Sequence, residues 1–167
     1  IRDPEGIVYN HPNQIAYLNP ARIVTDGEKM PPEEVSTGYP QKSLELWSTG
    51  GRLMWNVLMA QYEYENREGR TKTGLGSPES VAASNDGRHV LAGYDTGIIM
   101  LFSSDGKFLQ MYDHAIGEER RIRNLAFSPD GLYFASVSQG RFQKQETQIK
   151  LWKLEGDLVT AFDESES

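Results

Sequence analysis

An all-β chain of about three four-stranded antiparallel units is the fold the sequence predicts, on three observations. The first is the stretch Leu125-Ala126-Phe127-Ser128-Pro129-Asp130-Gly131-Leu132-Tyr133-Phe134-Ala135-Ser136-Val137-Ser138. It reads as two β-branched and aromatic runs joined by a tight turn. Pro129 presets φ, Asp130 hydrogen-bonds its own backbone, and Gly131 supplies a positive φ. The second observation is the same plan upstream, where Ser84-Asn85-Asp86-Gly87 precedes Arg88-His89-Val90-Leu91-Ala92-Gly93. The third is a recurring apolar run that ends in an aromatic residue: Leu44-Glu45-Leu46-Trp47, Ile98-Ile99-Met100-Leu101-Phe102 and Ile149-Lys150-Leu151-Trp152. A tandem unit of about 40–50 residues marks a solenoid or a propeller.

Bulk composition sets the outer limits. The chain has 167 residues and a formal charge of −7, with 38% hydrophobic and 25% charged residues. That is one ordinary domain by length, with enough apolar content for a core. No apolar run is long enough for a membrane helix, so no membrane association is expected. Cys is absent, which excludes disulfides and thiolate metal sites and is compatible with a cytoplasmic protein. The acidic balance weighs against a broad nucleic-acid surface. The chain starts at Ile1, which leads us to expect a trimmed piece of a longer protein.

The elements follow in order. Residues 1–13 are mixed and read as the end of a preceding unit or a crossover. Residues 14–60 form a degenerate unit: Ile15 to Leu18 and Arg22 to Thr25 are strands, with Asn19-Pro20 at the turn. Gly27 to Gln41 is an exposed loop by its turn residues. Ser43 to Trp47 is a third strand, and Gly50-Gly51 turns into a fourth from Arg52 to Met59; a helix is the other reading of that last run. Residues 61–79 are an inter-unit loop, in which Tyr62 to Glu65 extends a strand and Asn66 to Pro78 is charged and glycine-rich. Residues 80–113 are the second unit and 114–162 the third, with fourth strands at Lys107 to Met111 and Leu158 to Phe162. Residues 163–167 are a polar tail.

The run from Leu125 to Gly131, then Ala135-Ser136 and Ile149 to Trp152, resembles the WD-repeat family of β-propellers. The resemblance covers about Gln14 to Phe162 and is clearest in the last unit, like a divergent, bacterial-looking member. It implies that Trp47, Phe102 and Trp152 occupy one repeat position, with Asp86, Gly87, Asp130 and Gly131 in turns and Asp95 where the family carries a structural Asp. It departs where the family's Gly-His is expected. Asp113-His114 is the nearest candidate and sits early, so we expect an incomplete internal polar network. The fold implied is a partial propeller of about three blades with two open apolar faces.

Chemistry-bearing residues are few. His11, His89 and His114 are scattered, without metal-ligand spacing, so no metal is expected. The aspartates of Asx-Gly turns, Asp86, Asp105 and Asp130, read as turn formers. Glu33-Glu34 and Glu118-Glu119 are adjacent loop acids, not a facing catalytic pair. No phosphate loop or nucleophile elbow occurs, and no cofactor is expected. Arg120-Arg121-Ile122-Arg123 is the one basic cluster, read as a loop before the third unit's first strand. Its plain reading is a solubilising surface, and its functional reading is an acidic or phosphate contact.

The expected contact region gathers Trp55, Tyr62, Tyr64, Arg67 and Arg70 with Arg120, Arg121 and Arg123. Insertions between second and third strands, and between units, should leave the fold at one face. The favoured function is a non-catalytic protein-interaction scaffold or sensor, part of a larger propeller and bound to a protein partner or to further blades. A propeller enzyme, hydrolase or lyase, with its site completed by blades absent here is a second reading. A partial propeller that closes its ring by self-association is a third.

Overall fold

The computed structural model describes residues 15–19, 22–29, 41–48, 50–58, 62–65, 68–73, 76–115, 120–140 and 146–163. The mixed segment at 1–13, residues 30–40 of the expected loop and residues 164–167 of the expected tail lie outside the described residues. The fold is all-β, a partial β-propeller of three four-stranded antiparallel sheets. The first holds β1 (Ile15–Asn19), β2 (Arg22–Lys29), β3 (Gln41–Ser48) and β4 (Leu53–Leu58). The fourth strand there is β4, not the alternative helix. A separate hairpin joins β5 (Glu63–Glu65) to β6 (Thr71–Thr73). The second sheet holds β7 (Pro78–Ala83), β8 (His89–Tyr94), β9 (Ile98–Ser103) and β10 (Phe108–Asp113). The third holds β11 (Arg120–Phe127), β12 (Tyr133–Gly140), β13 (Thr147–Lys153) and β14 (Leu158–Asp163). In every sheet the strands lie side by side in chain order.

Three stretches differ from the sequence reading. The loop expected from Asn66 to Pro78 contains β6, because Thr71 and Thr73 flank Lys72 with β-branched residues and pair with β5. The loop expected from Gly27 starts as strand, since β2 pairs with β3 as far as Lys29↔Gln41. The basic cluster at 120–123 belongs to β11, not to a loop before it. Ile122 explains the last difference: it is fully buried and fixes the strand while its arginine neighbours point elsewhere.

The turns follow one plan, and serine is its missed half. Ser128 Oγ donates to Asp130 Oδ1 at 2.5 Å and accepts the Tyr133 N–H at 3.0 Å, while Leu132 N–H donates to the same Asp130 oxygen. Ser84, Asp86 and Arg88 repeat this arrangement. Gly131 and Gly87 take φ of 72° and 68°. The serine and main-chain donors pull the Asp86 and Asp130 carboxyls below the usual carboxylate range.

Two hydrophobic cores lie between the sheets, one at each interface. Leu44, Leu46 and Val57 of the first sheet meet Val90, Ala92, Ile98, Met100 and Phe102 of the second. The opposite face of the second sheet, with Leu91, Ile99, Leu101 and Tyr112, meets Ile122, Leu125, Phe134 and Trp152 of the third. This explains why β8 and β9 are almost continuously apolar, whereas β12 alternates buried and half-exposed residues. A strand covered on both faces has no polar side to keep.

The first strand β7 approaches both β1 and β11, and among the described residues no comparable approach links the fourth strands. The sheets therefore fan out from an inner edge as blades do. Gly93 permits a close approach of β8 to β11. A Cβ there would lie 2.3 Å from Ile122 Cγ2 and 2.7 Å from Ser80 Oγ, and Ser80 Oγ donates to the Ile122 carbonyl at 3.0 Å. At Gly131 a Cβ meets nothing within 4 Å, so only its φ resists substitution. Gly93→Ala should therefore cost about 3 kcal/mol by overpacking, against about 1 kcal/mol for Gly131→Ala. Urea denaturation of the two variants checks the order, and a larger loss for Gly131→Ala contradicts it.

Candidate interaction surface

Two ends of the molecule differ. At one end the connections between blades touch the turns between second and third strands. Asp95 N–H donates to Ser77 O at 3.0 Å, Ser77 N–H donates to Asp95 Oδ1 at 3.1 Å, and Ala115 N–H donates to Gly97 O at 3.2 Å. The described flanks of the third unit's insertion, Gly140 and Glu146, lie at this end too, where Arg120 at the start of β11 binds the Glu146 carbonyl. At the other end the remaining turns meet each other, with Leu154 N–H donating to Leu132 O and Ser104 N–H donating to Arg88 O.

The aromatics expected at a partner surface are used within the fold. Trp55 Nε1–H donates to Ser104 O at 3.1 Å, and its ring lies where a Cβ on Gly106 would sit, within 2.9 Å. One blade further, Gln110 occupies the register position of Trp55, donates to Glu155 O and lies closer still to the next turn, 2.1 Å from where a Cβ on Gly156 would sit. A fourth-strand side chain thus latches each of the first two blades to the next blade's turn. Tyr62 packs on Phe102 and Phe108, with ring centroids 6.3 and 5.8 Å apart, and Tyr64 leans on the same core.

The arginines divide. Arg123 Nη1 meets Glu79 Oε2 at 2.9 Å, and Arg121 Nη1 lies 3.8 Å from the other Glu79 oxygen. One carboxylate on β7 thereby ties two guanidiniums of β11 across the blade boundary. Arg120 is mostly covered and binds the main-chain carbonyl of Glu146 at 2.9 Å. Arg70 pairs with Glu68 on an open surface, a contact worth little in water. Arg67 and His11 lie outside the described residues.

The repeat position occupied by Trp47, Phe102 and Trp152 shows how each blade meets the same polar demand. Trp152 Nε1–H donates to Ser136 Oγ at 2.8 Å, and Ser136 Oγ lies 2.7 Å from His114 Nδ1. The hydroxyl is thereby shared between the indole and the imidazole. His114 is fully buried, and Lys150 Nζ donates to its carbonyl oxygen. The polar chain therefore reaches the histidine that the sequence placed too early to assign. In the first blade Trp47 Nε1–H donates at 3.0 Å to Glu45, a buried carboxylate that also accepts from Ser43. In the second blade Phe102 has no N–H, and Ala92 stands at the register position of Ser136. Among the described residues no group of three or more His, Asp or Glu is placed to hold a metal ion.

Burial, then the Lys150 and Arg120 cations, lowers the His114 pKa to about 3. The sign follows: the unfolded chain takes up a proton below about 6.5 that the folded one refuses. The stability contributed by His114 is complete above that value and is lost as pH falls toward the folded pKa. Between pH 7 and pH 5 the loss should be about 2 kcal/mol. Denaturation of wild type and His114→Gln at both values checks this. The wild type should lose more over the interval, and parallel losses would count against the assignment.

The third blade has one open face. Ile149 and Phe162, directly paired across β13 and β14, are 42% and 59% exposed. Half-buried Ala135, Val137 and Leu151 share their side of the sheet. Sequence reasoning anticipated open faces without locating them; the residues become legible only once the register is known.

No family model matches this chain, and no curated protein matches it. Among solved structures it is similar to one described as the crystal structure of the eukaryotic initiation factor, at 11% identity and a TM-score of 0.60. That similarity covers 97% of this chain and 33% of the other, so the chain spans about a third of the length of the structure it matches. At this identity the likeness concerns the fold alone, and the fold is that of part of a β-propeller.

Proposed function

We propose that this chain is a segment of a larger propeller of the WD-repeat kind, acting without catalysis as a rigid scaffold for a protein partner in the cytoplasm. One observation carries the reading. Three residues before the third-strand aromatic stand Leu44 and Ile99, both fully buried; paired with them are Val57 and Tyr112, 7% and 2% exposed. The third blade keeps apolar residues at the same two register positions, Ile149 and Phe162, yet there they are open. In the first two blades the next sheet fills this face. The occupant whose shape fits the third is a further blade. Contiguous apolar surface of this kind is normally an interaction site. The Trp152–Ser136–His114 chain supports the family reading.

The test is sedimentation velocity over a concentration series. The wild-type chain should associate through its open face, and the double variant Ile149→Asp, Phe162→Asp should run as a monomer with an unchanged circular dichroism spectrum. A wild type that remains monomeric throughout, indistinguishable from the variant, overturns the proposal.

A further inference from the structure

A cleft of about 440 Å3 opens between the second and third blades, at the end opposite the insertions. Leu101, Leu132 and Leu154 make its apolar wall. Leu101 is 4% exposed and belongs to the core, whereas Leu132 is 62% exposed. The cleft thus leads from solvent down to the packed interface. Its wall is preformed. Leu154 N–H donates to Leu132 O at 2.9 Å, and Tyr112 O–H donates to Leu154 O at 2.6 Å. Burial pushes the Tyr112 hydroxyl up to about 12, so it stays a donor at any ordinary pH. His89, Tyr133, Lys153 and Glu155 complete the lining. Lys153 and Glu155 are exposed, and among the described residues neither enters an ion pair.

We propose that this cleft receives a short segment of a partner protein, anchored by an apolar side chain of leucine or phenylalanine size and flanked by one acidic and one basic residue. The volume falls in the range of ligand pockets, and an apolar wall with a few polar groups is their usual chemistry. The anchor loses water against the three leucines. The flanking carboxylate meets the Lys153 ammonium, and the flanking ammonium meets the Glu155 carboxylate. A segment with acids on both sides of the anchor would meet repulsion at Glu155, and one with two bases at Lys153. The inference rests on the scaffold reading, but both walls of the cleft belong to blades within this chain, so it needs no further blade. It places a partner contact at the end opposite the one expected from the insertions.

The test uses the isotope-labelled 167-residue chain and two capped pentapeptides, Gly-Asp-Phe-Lys-Gly and Gly-Lys-Phe-Asp-Gly, which cover both chain directions. At least one should shift the amide resonances of Leu132, Tyr133 and Leu154 saturably, with a dissociation constant of about 1 mM. Leu132→Asp should abolish saturation, Lys153→Glu should weaken binding about fivefold, and Phe162→Asp should leave it unchanged. Absence of shifts with both peptides, shifts confined to other residues, or equal binding of a peptide with Ala in place of Phe overturns the proposal. If Leu132→Asp fails to fold, the exposed Lys153 still provides the comparison. The sedimentation result does not depend on this cleft, so either reading can fall without the other.

Discussion

Tyr112 of the second blade packs against two rings of the third. Its ring centroid lies 4.8 Å from that of Phe134 and 5.7 Å from that of Trp152, both edge-on, while Phe134 and Trp152 stack nearly parallel at 6.1 Å. This contact is one expression of a general constraint. A four-stranded sheet that is apolar on both faces must be covered on both. Aromatic pairs of this geometry add about 0.5–1.5 kcal/mol beyond the area they bury. In the second blade the central strands β8 and β9 are covered on both faces and carry no polar side. The third satisfies the constraint once, which is why its outer face reads as a docking surface.

The third-strand aromatic position shows how chemistry bends around that constraint. A buried indole N–H needs an acceptor, since leaving it unpaired costs about 1–3 kcal/mol. The first blade supplies a carboxylate from the same strand, Glu45. The third supplies a hydroxyl backed by a histidine from the preceding connection. The second removes the need by using Phe102. Packing is preserved while its polar support changes from blade to blade. His114 also joins the connection between blades to the body of the third sheet, so the same side chain serves the indole and the boundary.

The local parts of this fold were legible from the sequence and the long-range parts were not. The Ser128–Gly131 turn declares itself because Pro129, Asp130 and Gly131 are adjacent and act locally. The strand pairs follow from the turn. The repeat position at Trp47, Phe102 and Trp152 was visible as periodicity. Glu79 and its arginine Arg123 are 44 residues apart, however, and Trp55 and Ser104 are 49 apart. Nothing in composition or spacing selects those partners. For that reason Trp55, Tyr62 and the arginines of β11 looked like free surface, although they fasten one blade to the next. The cleft at Leu132 escaped notice for a related reason: a single exposed leucine after a turn acquires meaning only when the neighbouring blade supplies the other wall.

The most direct measurement exploits the absence of cysteine in this chain. A single thiol introduced by Val57→Cys or by Phe162→Cys occupies the same register position in the first and third blades. The labelling rate of each is followed as protein concentration rises. The thiol at position 57 should be protected throughout, and that at position 162 should react quickly in dilute solution and become protected as the open face is covered. Equal rates at the two positions, or a position-162 thiol already protected in the monomer, would contradict the account of an open blade face.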